Sequence, residues 1–327
     1  MTPATTTFGI RLPNSGPFAT PAAMREIATL SEALGFETLW VHDHLAWPHH
    51  RRTHFAAGSV EAVTDEPPSF YESVAAIAYI AGLTRRIKVG IAGLVLPWRD
   101  PRVLAKQFAT LAELADGRLV PALAIGRFED EFVAQQVDYH QRGRITDEYL
   151  ACLAAILGPE AKTDFQGARV QFTAAEYFPK ASQLPLWICG MSPQARRRVA
   201  VYGQGWLPGG MTPDEYRASV ADLDAEMARH GRTAREVDRG NEIFTAIAES
   251  DAAALAIARA TLEHQWGDVD RGLARSLVGS AETIRDRIGE YVAAGVSHFE
   301  IKFICHDVPM MRRMIEDYAR LVVPKIR

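Results

Sequence analysis

His42, Asp43 and His44 form the densest cluster of titratable residues in the sequence. Histidine titrates near neutral pH, so either imidazole can act as a general acid or base. The two histidines are one residue apart, so on a strand their side chains share a face and can also chelate a divalent metal. The structural alternative is that one histidine caps the strand or pairs with Asp43. The cluster therefore indicates proton transfer, a metal site or a structural role.

A second candidate site is the segment Gly190-Met191-Ser192-Pro193-Gln194, which leads from an apolar run into a predicted helix. The first turn of a helix offers free N–H groups and the positive end of the helix dipole, which suit a phosphate. Gly190 allows close approach of the backbone, and Ser192 adds a hydroxyl. The same pattern also fits a simple helix cap followed by proline.

Small residues interrupt the apolar run at residues 89–96, where Ala92 and Gly93 stand in mid-strand. A buried parallel strand normally carries Val, Ile or Leu at such positions. Glycine inside a strand often marks the close approach of another backbone or of a ligand. This strand therefore offers room for a planar ring, for the close approach of another backbone or for an unusual peptide geometry.

Four residues in predicted loops at strand ends are candidates for a substrate pocket: Asn14, Trp47, Trp98 and Phe128. Aromatic side chains in such loops can line a pocket for an apolar substrate or a ring cofactor. The alternative is that each aromatic ring only packs its own loop.

Strand and helix patterns alternate along the whole chain, and these elements must position the candidate residues. The predicted strands are residues 8–13, 38–43, 87–96, 119–125, 186–189, 205–208, 242–248 and 298–304. The predicted helices are residues 21–34, 70–83, 101–115, 145–157, 194–202, 213–229, 251–265, 281–294 and 309–321. Eight strands that alternate with helices predict an α/β fold, a single (β/α)8 TIM barrel over residues 1–327. An insertion with hairpin character follows the fourth strand, at about residues 127–183.

A doubly wound open sheet is the alternative architecture, but the glycine-rich fingerprint that it would carry after an early strand is missing from the sequence. In a barrel, the active site lies at the carboxyl ends of the strands, which brings the candidate residues together. Amidohydrolase-type barrels add metal-binding histidines on strands five and six. Here those strands end in CGM and LPGG, so we expect no catalytic metal.

The composition excludes several classes of function. The net charge is −4 and there is no basic block, so neither nucleic acid nor an anionic membrane is an expected partner. No segment approaches about 18 uninterrupted apolar residues, and the N-terminus lacks a signal-peptide pattern. Cys152, Cys189 and Cys305 lie far apart in apolar contexts, which predicts buried, reduced thiols and a cytoplasmic protein.

Five segments resemble the luciferase-like flavin-dependent oxidoreductases, a family that includes bacterial luciferase, alkanesulfonate monooxygenase and deazaflavin-dependent dehydrogenases and reductases. They occur in the family's order and span nearly the whole chain. They are GFETLWVHDHL (residues 35–45), VGIAGLVLPWRDP (89–101), LAKQFATLAELADGRL (104–119), PLWICGMSPQARRRVAVYGQGWLP (185–208) and LVGSAETIRDRIGEYVAAGVSHFEI (277–301).

The resemblance implies a (β/α)8 barrel with an insertion, a homodimer, and a non-prolyl cis peptide at Ala92-Gly93 against the flavin ring. It implies that His44 lies near the reacting flavin and substrate. It places the cofactor phosphate at Gly190, Met191, Ser192, Gln194 and Ala195. The sequence departs from the family after strand four, where the usual glycine-rich run is replaced by ALAIGRFEDEF (residues 122–132).

By this resemblance the chain is an oxidoreductase acting on paired donors, most simply a monooxygenase. Reduced FMN from a separate flavin reductase would react with dioxygen and oxidise a small organic substrate. His44, His42 and Asp43 are the expected catalytic residues, with His44 transferring the proton. The first alternative is hydride transfer with the deazaflavin coenzyme F420 and no dioxygen. The second is a barrel that binds a flavin or another ligand without turnover.

Overall fold

The computed structural model describes residues 6–46 and 69–326. The strands are β1 (Thr7–Arg11), β2 (Ser15–Gly16), β3 (Thr38–Val41), β4 (Ser69–Phe70), β5 (Lys88–Val95), β6 (Leu119–Ala124), β7 (Lys162–Gln166), β8 (Gln171–Glu176), β9 (Trp187–Cys189), β10 (Gly205–Leu207), β11 (Asp238–Ile247), β12 (Leu277–Gly279) and β13 (His298–Phe303). The helices are α1 (Pro21–Ala33), α2 (Ser73–Leu83), α3 (Pro101–Leu114), α4 (Glu129–Ala134), α5 (Arg142–Leu157), α6 (Pro193–Tyr202), α7 (Pro213–Arg229), α8 (Asp251–Trp266), α9 (Val269–Leu273), α10 (Ala281–Ala293) and α11 (Val308–Leu321).

Eight parallel strands close into a barrel. In chain order, β1, β3, β5, β6, β9, β10, β11 and β13 each pair with the next, and β13 pairs with β1 to complete the ring. The predicted (β/α)8 barrel is therefore confirmed, and each of the eight predicted strands is present. The short strand β12 extends the sheet by pairing with the carboxyl half of β11, while the amino half of β11 pairs with β10.

Local sequence signals fix the helix starts as expected. Thr20 caps α1 by accepting a hydrogen bond from the Ala23 amide, and Pro21 takes the first helical position. Ser192 and Pro193 open α6 in the same way. Two helix starts were wrong by three residues. The helix predicted from residue 70 begins at Ser73, because residues 69–70 pair with Ser15 and Gly16 as a small antiparallel ribbon, and the helix predicted from residue 145 begins at Arg142.

The insertion after β6 contains α4, α5 and the antiparallel hairpin β7–β8, which confirms its predicted hairpin character. The helix α4 was not predicted. Its first turn consists of Glu129, Asp130 and Glu131, which suit the positive end of the helix dipole.

Two tryptophans fill the amino-terminal half of the barrel. The rings of Trp40 and Trp187 lie 5.6 Å apart, and a side-chain carbon on Gly9 or Gly90 would overlap Trp40. Trp40 Nε1 donates a hydrogen bond of 3.1 Å to Nε2 of His298. Burial lowers the pKa of His298 to about 3, so its imidazole stays neutral. The barrel interior is therefore packed at this end, and a ligand can enter from the carboxyl end.

The three cysteines are unpaired. Cys152 and Cys305 are buried as predicted, and burial raises the pKa of their thiols to about 11 and about 12. The prediction of burial was wrong for Cys189, which is partly exposed because it ends β9. Over the described residues, no helix is long and apolar enough to span a bilayer.

Candidate active site

A buried arginine lies at the centre of the barrel, one layer above the tryptophans. Side chains of alternate strand residues share a face, so Arg11 of β1 points inward two residues after Gly9. Its Nε donates to Glu300 Oε1 of β13 at 2.8 Å, and Nη2 contacts the same oxygen. Nη2 also donates to Glu242 Oε2 of β11 at 2.9 Å and to the Ala92 carbonyl at 3.3 Å. Two carboxyl groups thus pair with one guanidinium.

The carboxyl group of Glu300 has a raised pKa. Burial raises its pKa to about 7, against the opposing effect of Arg11, while the charge of Glu242 raises it further. Its second oxygen, Oε2, is buried and has no hydrogen-bond partner among the residues that the structure describes. The centre of the barrel therefore carries an ion cluster in which burial favours the neutral form of one carboxyl group.

His42 is held by side chains on both ring nitrogens. Arg11 Nη1 lies 3.1 Å from Nδ1, and the Ser15 hydroxyl contacts Nε2. A guanidinium only donates hydrogen bonds, so Nδ1 is the acceptor and the proton of the neutral ring is on Nε2. Asn14 fixes the backbone of His42 through bonds of 2.9 Å and 3.1 Å. Both nitrogens of His42 are therefore engaged inside the protein.

His44 has the opposite arrangement. Its Nδ1 lies 2.8 Å from Oε1 of Glu131, a buried carboxylate of α4. A carboxylate accepts, so the proton lies on Nδ1 and Nε2 keeps its lone pair. The ring lies between Phe70 and Phe128, at centroid distances of 5.6 Å and 6.4 Å. Because the His44 side chain is 23% exposed, it is suited to proton transfer with a ligand.

Asp43 lies in the same segment, but its side chain is buried among residues of α2, β5 and the turn that follows β5. One oxygen accepts from Ser73 Oγ (2.8 Å) and Arg99 Nη2 (2.7 Å). The other accepts from the Val95 amide (2.9 Å) and Arg99 Nη1 (2.7 Å). Four hydrogen bonds occupy both oxygens, so this carboxylate ties β3 to the end of β5 and the start of α2.

The part of β5 that was predicted to hold a planar ring has a cis peptide and an irregular pairing with β6. The Ala92-Gly93 peptide is cis, as the resemblance implied, and the pairing of β5 with β6 shifts between Ala92 and Leu94. Gly93 is partly exposed at the carboxyl end of the barrel. A side-chain carbon at Gly93 would lie 2.7 Å from Cys189 Sγ, so the glycine also makes room for the neighbouring strand.

The predicted phosphate segment begins a regular helix. Gly190 adopts a φ of 113°, and Ser192 Oγ caps α6 by accepting from the Ala195 amide at 3.2 Å. Arg196 Nη1 donates to the Met191 carbonyl at 2.8 Å, which fixes the loop from the helix side. Gln194 occupies the first turn. The Ser192 hydroxyl serves as the cap, so an anion here would depend on backbone N–H groups.

The four residues predicted to line the substrate pocket lie in different surroundings. Phe128 packs beside His44, as described above. Asn14 is buried and holds the backbone of His42. Trp98 is buried against Phe132 at 5.5 Å, beneath the rim of the barrel. Trp47 lies outside the described residues, as do His49, His50 and His54.

Sequence reasoning missed the charged residues inside the barrel and the contact between Lys302 and Phe244. Arg11, Glu242 and Glu300 were read as parts of apolar strands. The signal was a charge at every second position of HFEIKF (residues 298–303), which is unexpected in a strand buried on both faces. Lys302 of the same strand has its Nζ 4.6 Å from the centre of the Phe244 ring on β11. Over the described residues, no group of three potential ligands could hold a metal ion.

A family model described as luciferase-like monooxygenase matches residues 4–298. The chain is 28% identical over 209 residues to an FMNH(2)-dependent dimethylsulfone monooxygenase of Pseudomonas fluorescens, covering 62% of this chain and 52% of the relative. It is 25% identical over 241 residues to an F420-dependent glucose-6-phosphate dehydrogenase of Kineococcus radiotolerans, covering 72% and 67%. The crystal structure of a monooxygenase from Streptomyces bottropensis superposes with a TM-score of 0.80 at 19% identity, covering 98% and 100%. At that identity the structural likeness establishes the fold.

Proposed function

The chain belongs to the luciferase-like monooxygenase family, and from this premise we propose that it is an FMN-dependent monooxygenase acting at the carboxyl end of its barrel. The family resemblance of the five sequence segments is thereby confirmed. The family's relatives use either reduced FMN or coenzyme F420, as their names state. The choice of FMN, the oxygenation reaction, a separate flavin reductase and a homodimer are parts of our proposal.

The observation that carries the proposal is the pairing of His44 with Glu131. It places the proton on Nδ1 of a half-buried histidine and the lone pair on Nε2, just after the strand next to β5, where Gly93 is partly exposed. A proton-transfer group and an open stretch of backbone are what a ring cofactor requires from its protein. We assign proton transfer to His44, orientation of its ring to Glu131, and support of the cofactor ring to Ala92 and Gly93.

The residues of the mouth fit an anionic ring cofactor. Gly190 lets the backbone turn at positive φ, where a larger residue is strained, and the α6 amino terminus follows at once. We assign the phosphate of the cofactor to Gly190, Met191, Ser192, Gln194 and Ala195. When bound, reduced FMN supplies the electrons that activate dioxygen. Phe70 and Phe128 around His44 limit access of water to the transferred proton.

We propose different roles for three other candidates. His42 has both ring nitrogens engaged and Asp43 has both oxygens engaged, so each positions the segment that carries His44. Asn14 does the same through the backbone of His42. Phe128 is the substrate-contacting member of the predicted pocket, and Trp47 keeps its proposed place there.

Hydride transfer with coenzyme F420 is the second candidate function. The observation that favours it is the similarity to an F420-dependent dehydrogenase, at 25% identity over 241 residues. The same arrangement of His44 and Glu131 serves either reaction, because both require a proton acceptor or donor beside the ring.

The test compares two reactions of the purified protein. One contains reduced FMN, dioxygen and dimethyl sulfone; the other contains F420 and glucose 6-phosphate without dioxygen. Product in the first, with dioxygen consumed and about a hundredfold loss in His44→Ala, supports the proposal. Turnover only in the anaerobic F420 reaction would replace it with hydride transfer. Saturable cofactor binding without turnover over a panel of small organic substrates would favour the non-catalytic barrel.

A further inference from the structure

The position of Arg11 is not explained by charge balance alone. Glu300 and Glu242 pair with its charge, yet the guanidinium also reaches the Ala92 carbonyl and Nδ1 of His42. These partners come from four different barrel strands or strand ends. A single buried side chain therefore links the ion cluster to the strand proposed to support the cofactor.

The contact with His42 has a chemical consequence. Since Arg11 occupies Nδ1 as a donor, a second proton on that nitrogen would point at a guanidinium N–H. The imidazolium form is therefore disfavoured, and the neutral ring keeps its proton on Nε2. That proton is directed to Ser15, whose hydroxyl must accept it.

The tautomer of His42 determines which hydrogen bond the Ser15 hydroxyl can make at the carboxyl end of the barrel. A serine hydroxyl that accepts a hydrogen bond still has its own hydrogen to donate. Ser15 is buried, and across residues 6–46 and 69–326 His42 is the residue that hydrogen-bonds its hydroxyl. A buried hydroxyl hydrogen without an acceptor is costly. Ser15 follows β1 at the carboxyl end of the barrel and pairs with Phe70, which stacks on His42 at 6.4 Å.

We propose that Arg11 is a positioning residue that holds His42 in its Nε2-protonated form, so that Ser15 donates a hydrogen bond to a ring oxygen or nitrogen of the cofactor. Arginine does not release a proton in this range, so the chain of contacts transmits orientation and not protons. The same guanidinium fixes the Ala92 carbonyl. The identity of the ligand rests on the proposed function, whereas the tautomer of His42 does not.

The tautomer is measured without any cofactor. Nitrogen NMR of the full-length protein labelled with 15N-histidine, above neutral pH, distinguishes protonated from unprotonated ring nitrogens, and His42→Gln identifies the signals. We expect His42 to show an unprotonated Nδ1 in the wild type and a mixture of tautomers in Arg11→Met. If that variant fails to fold, Arg11→Lys keeps the charge but loses the forked geometry, and the same mixture is expected. A protonated Nδ1 in the wild type, or an unchanged tautomer in the folded variant, overturns the positioning role.

The donor role of Ser15 is measured by cofactor affinity. Anaerobic fluorescence titration with reduced FMN and with F420 is expected to show about tenfold weaker binding in Ser15→Ala. Ser15→Thr keeps the hydroxyl and is expected to restore most of the affinity. Equal affinity in Ser15→Ala overturns the donor role. A wild-type protein that binds neither cofactor overturns this role together with the proposed function, while the nitrogen spectrum still decides the role of Arg11.

Discussion

Oε1 of Glu131 lies 2.8 Å from Nδ1 of His44, although the two residues are 87 positions apart in the chain. The carboxylate comes from α4 and the histidine from the end of β3, so the pair forms only when the barrel and its insertion are folded together. The contact orients the imidazole and leaves Nε2 free of the proton that Nδ1 carries.

Glu131→Gln should lower turnover without unfolding the protein. An amide can present its NH2 group to Nδ1, which favours the other tautomer of His44 and removes a charge-assisted hydrogen bond of about 1.5 kcal/mol. We expect kcat to fall roughly tenfold. Glu129→Gln on the same helix, whose side chain is exposed, should leave kcat unchanged. Equal kcat values for Glu131→Gln and the wild type would contradict the orienting role.

Asp43→Asn should lower the free energy of unfolding. The change leaves the buried guanidinium of Arg99 with one carboxylate fewer, and breaking a buried pair costs about 3 kcal/mol. We expect urea unfolding to show a loss of that order, while the affinity for cofactor in the folded variant stays close to that of the wild type. Asp317→Asn breaks the exposed pair with Arg320 and should cost less than about 1 kcal/mol. A direct part of Asp43 in the reaction would appear as lost turnover with unchanged stability.

Much of the fold could be predicted from the sequence, because apolar runs and helix caps are local signals. The insertion helix α4 was missed because Glu129–Ala134 is only 6 residues long, too short to show a helical period. The ion cluster was missed for a different reason: Arg11 and Glu300 are 289 residues apart and meet only through closure of the barrel. The partners of a side chain also lie beyond local pattern, since Asp43 binds Ser73 and Arg99 and Trp98 packs on Phe132.

The pH dependence of the free energy of unfolding should show that the buried imidazole of His298 is neutral. Its pKa is lowered from 6.5 to about 3 by burial, so between these values the unfolded chain binds a proton that the folded chain does not. Stability is therefore present above pH 6.5 and is lost as the pH falls toward about 3, by roughly 1.4 kcal/mol per pH unit. His298→Gln keeps an acceptor for Trp40 and removes this loss.

Unfolding in urea across that pH range provides the measurement. The stability of His298→Gln relative to the wild type should rise as the pH falls, whereas His230→Gln, at an exposed site, should run parallel to the wild type. Parallel curves for both variants would refute a neutral buried His298.

Gly90→Ala should destabilise the barrel. A side-chain carbon at Gly90 overlaps the six-membered ring of Trp40, and overpacking of this kind costs about 1–3 kcal/mol. Trp40→Phe in the same molecule should recover part of the loss. Gly82→Ala, on the open face of α2, should instead stabilise by about 1 kcal/mol through helix propensity. Thermal unfolding of the four proteins checks the signs, and an increased melting temperature for Gly90→Ala would contradict the packing described for Trp40.

The central claim is that the carboxyl end of the barrel holds a flavin-type cofactor with its phosphate at the start of α6. The most direct measurement is an anaerobic titration of wild type, Gly190→Val and Glu290→Gln with reduced FMN and with F420. Valine cannot readily adopt the φ of 113° at position 190, so binding should weaken at least about tenfold, while the exposed Glu290 variant binds as the wild type does. Saturable binding of one cofactor with this pattern is the predicted result. No saturable binding, or equal affinity in Gly190→Val, would contradict the claim.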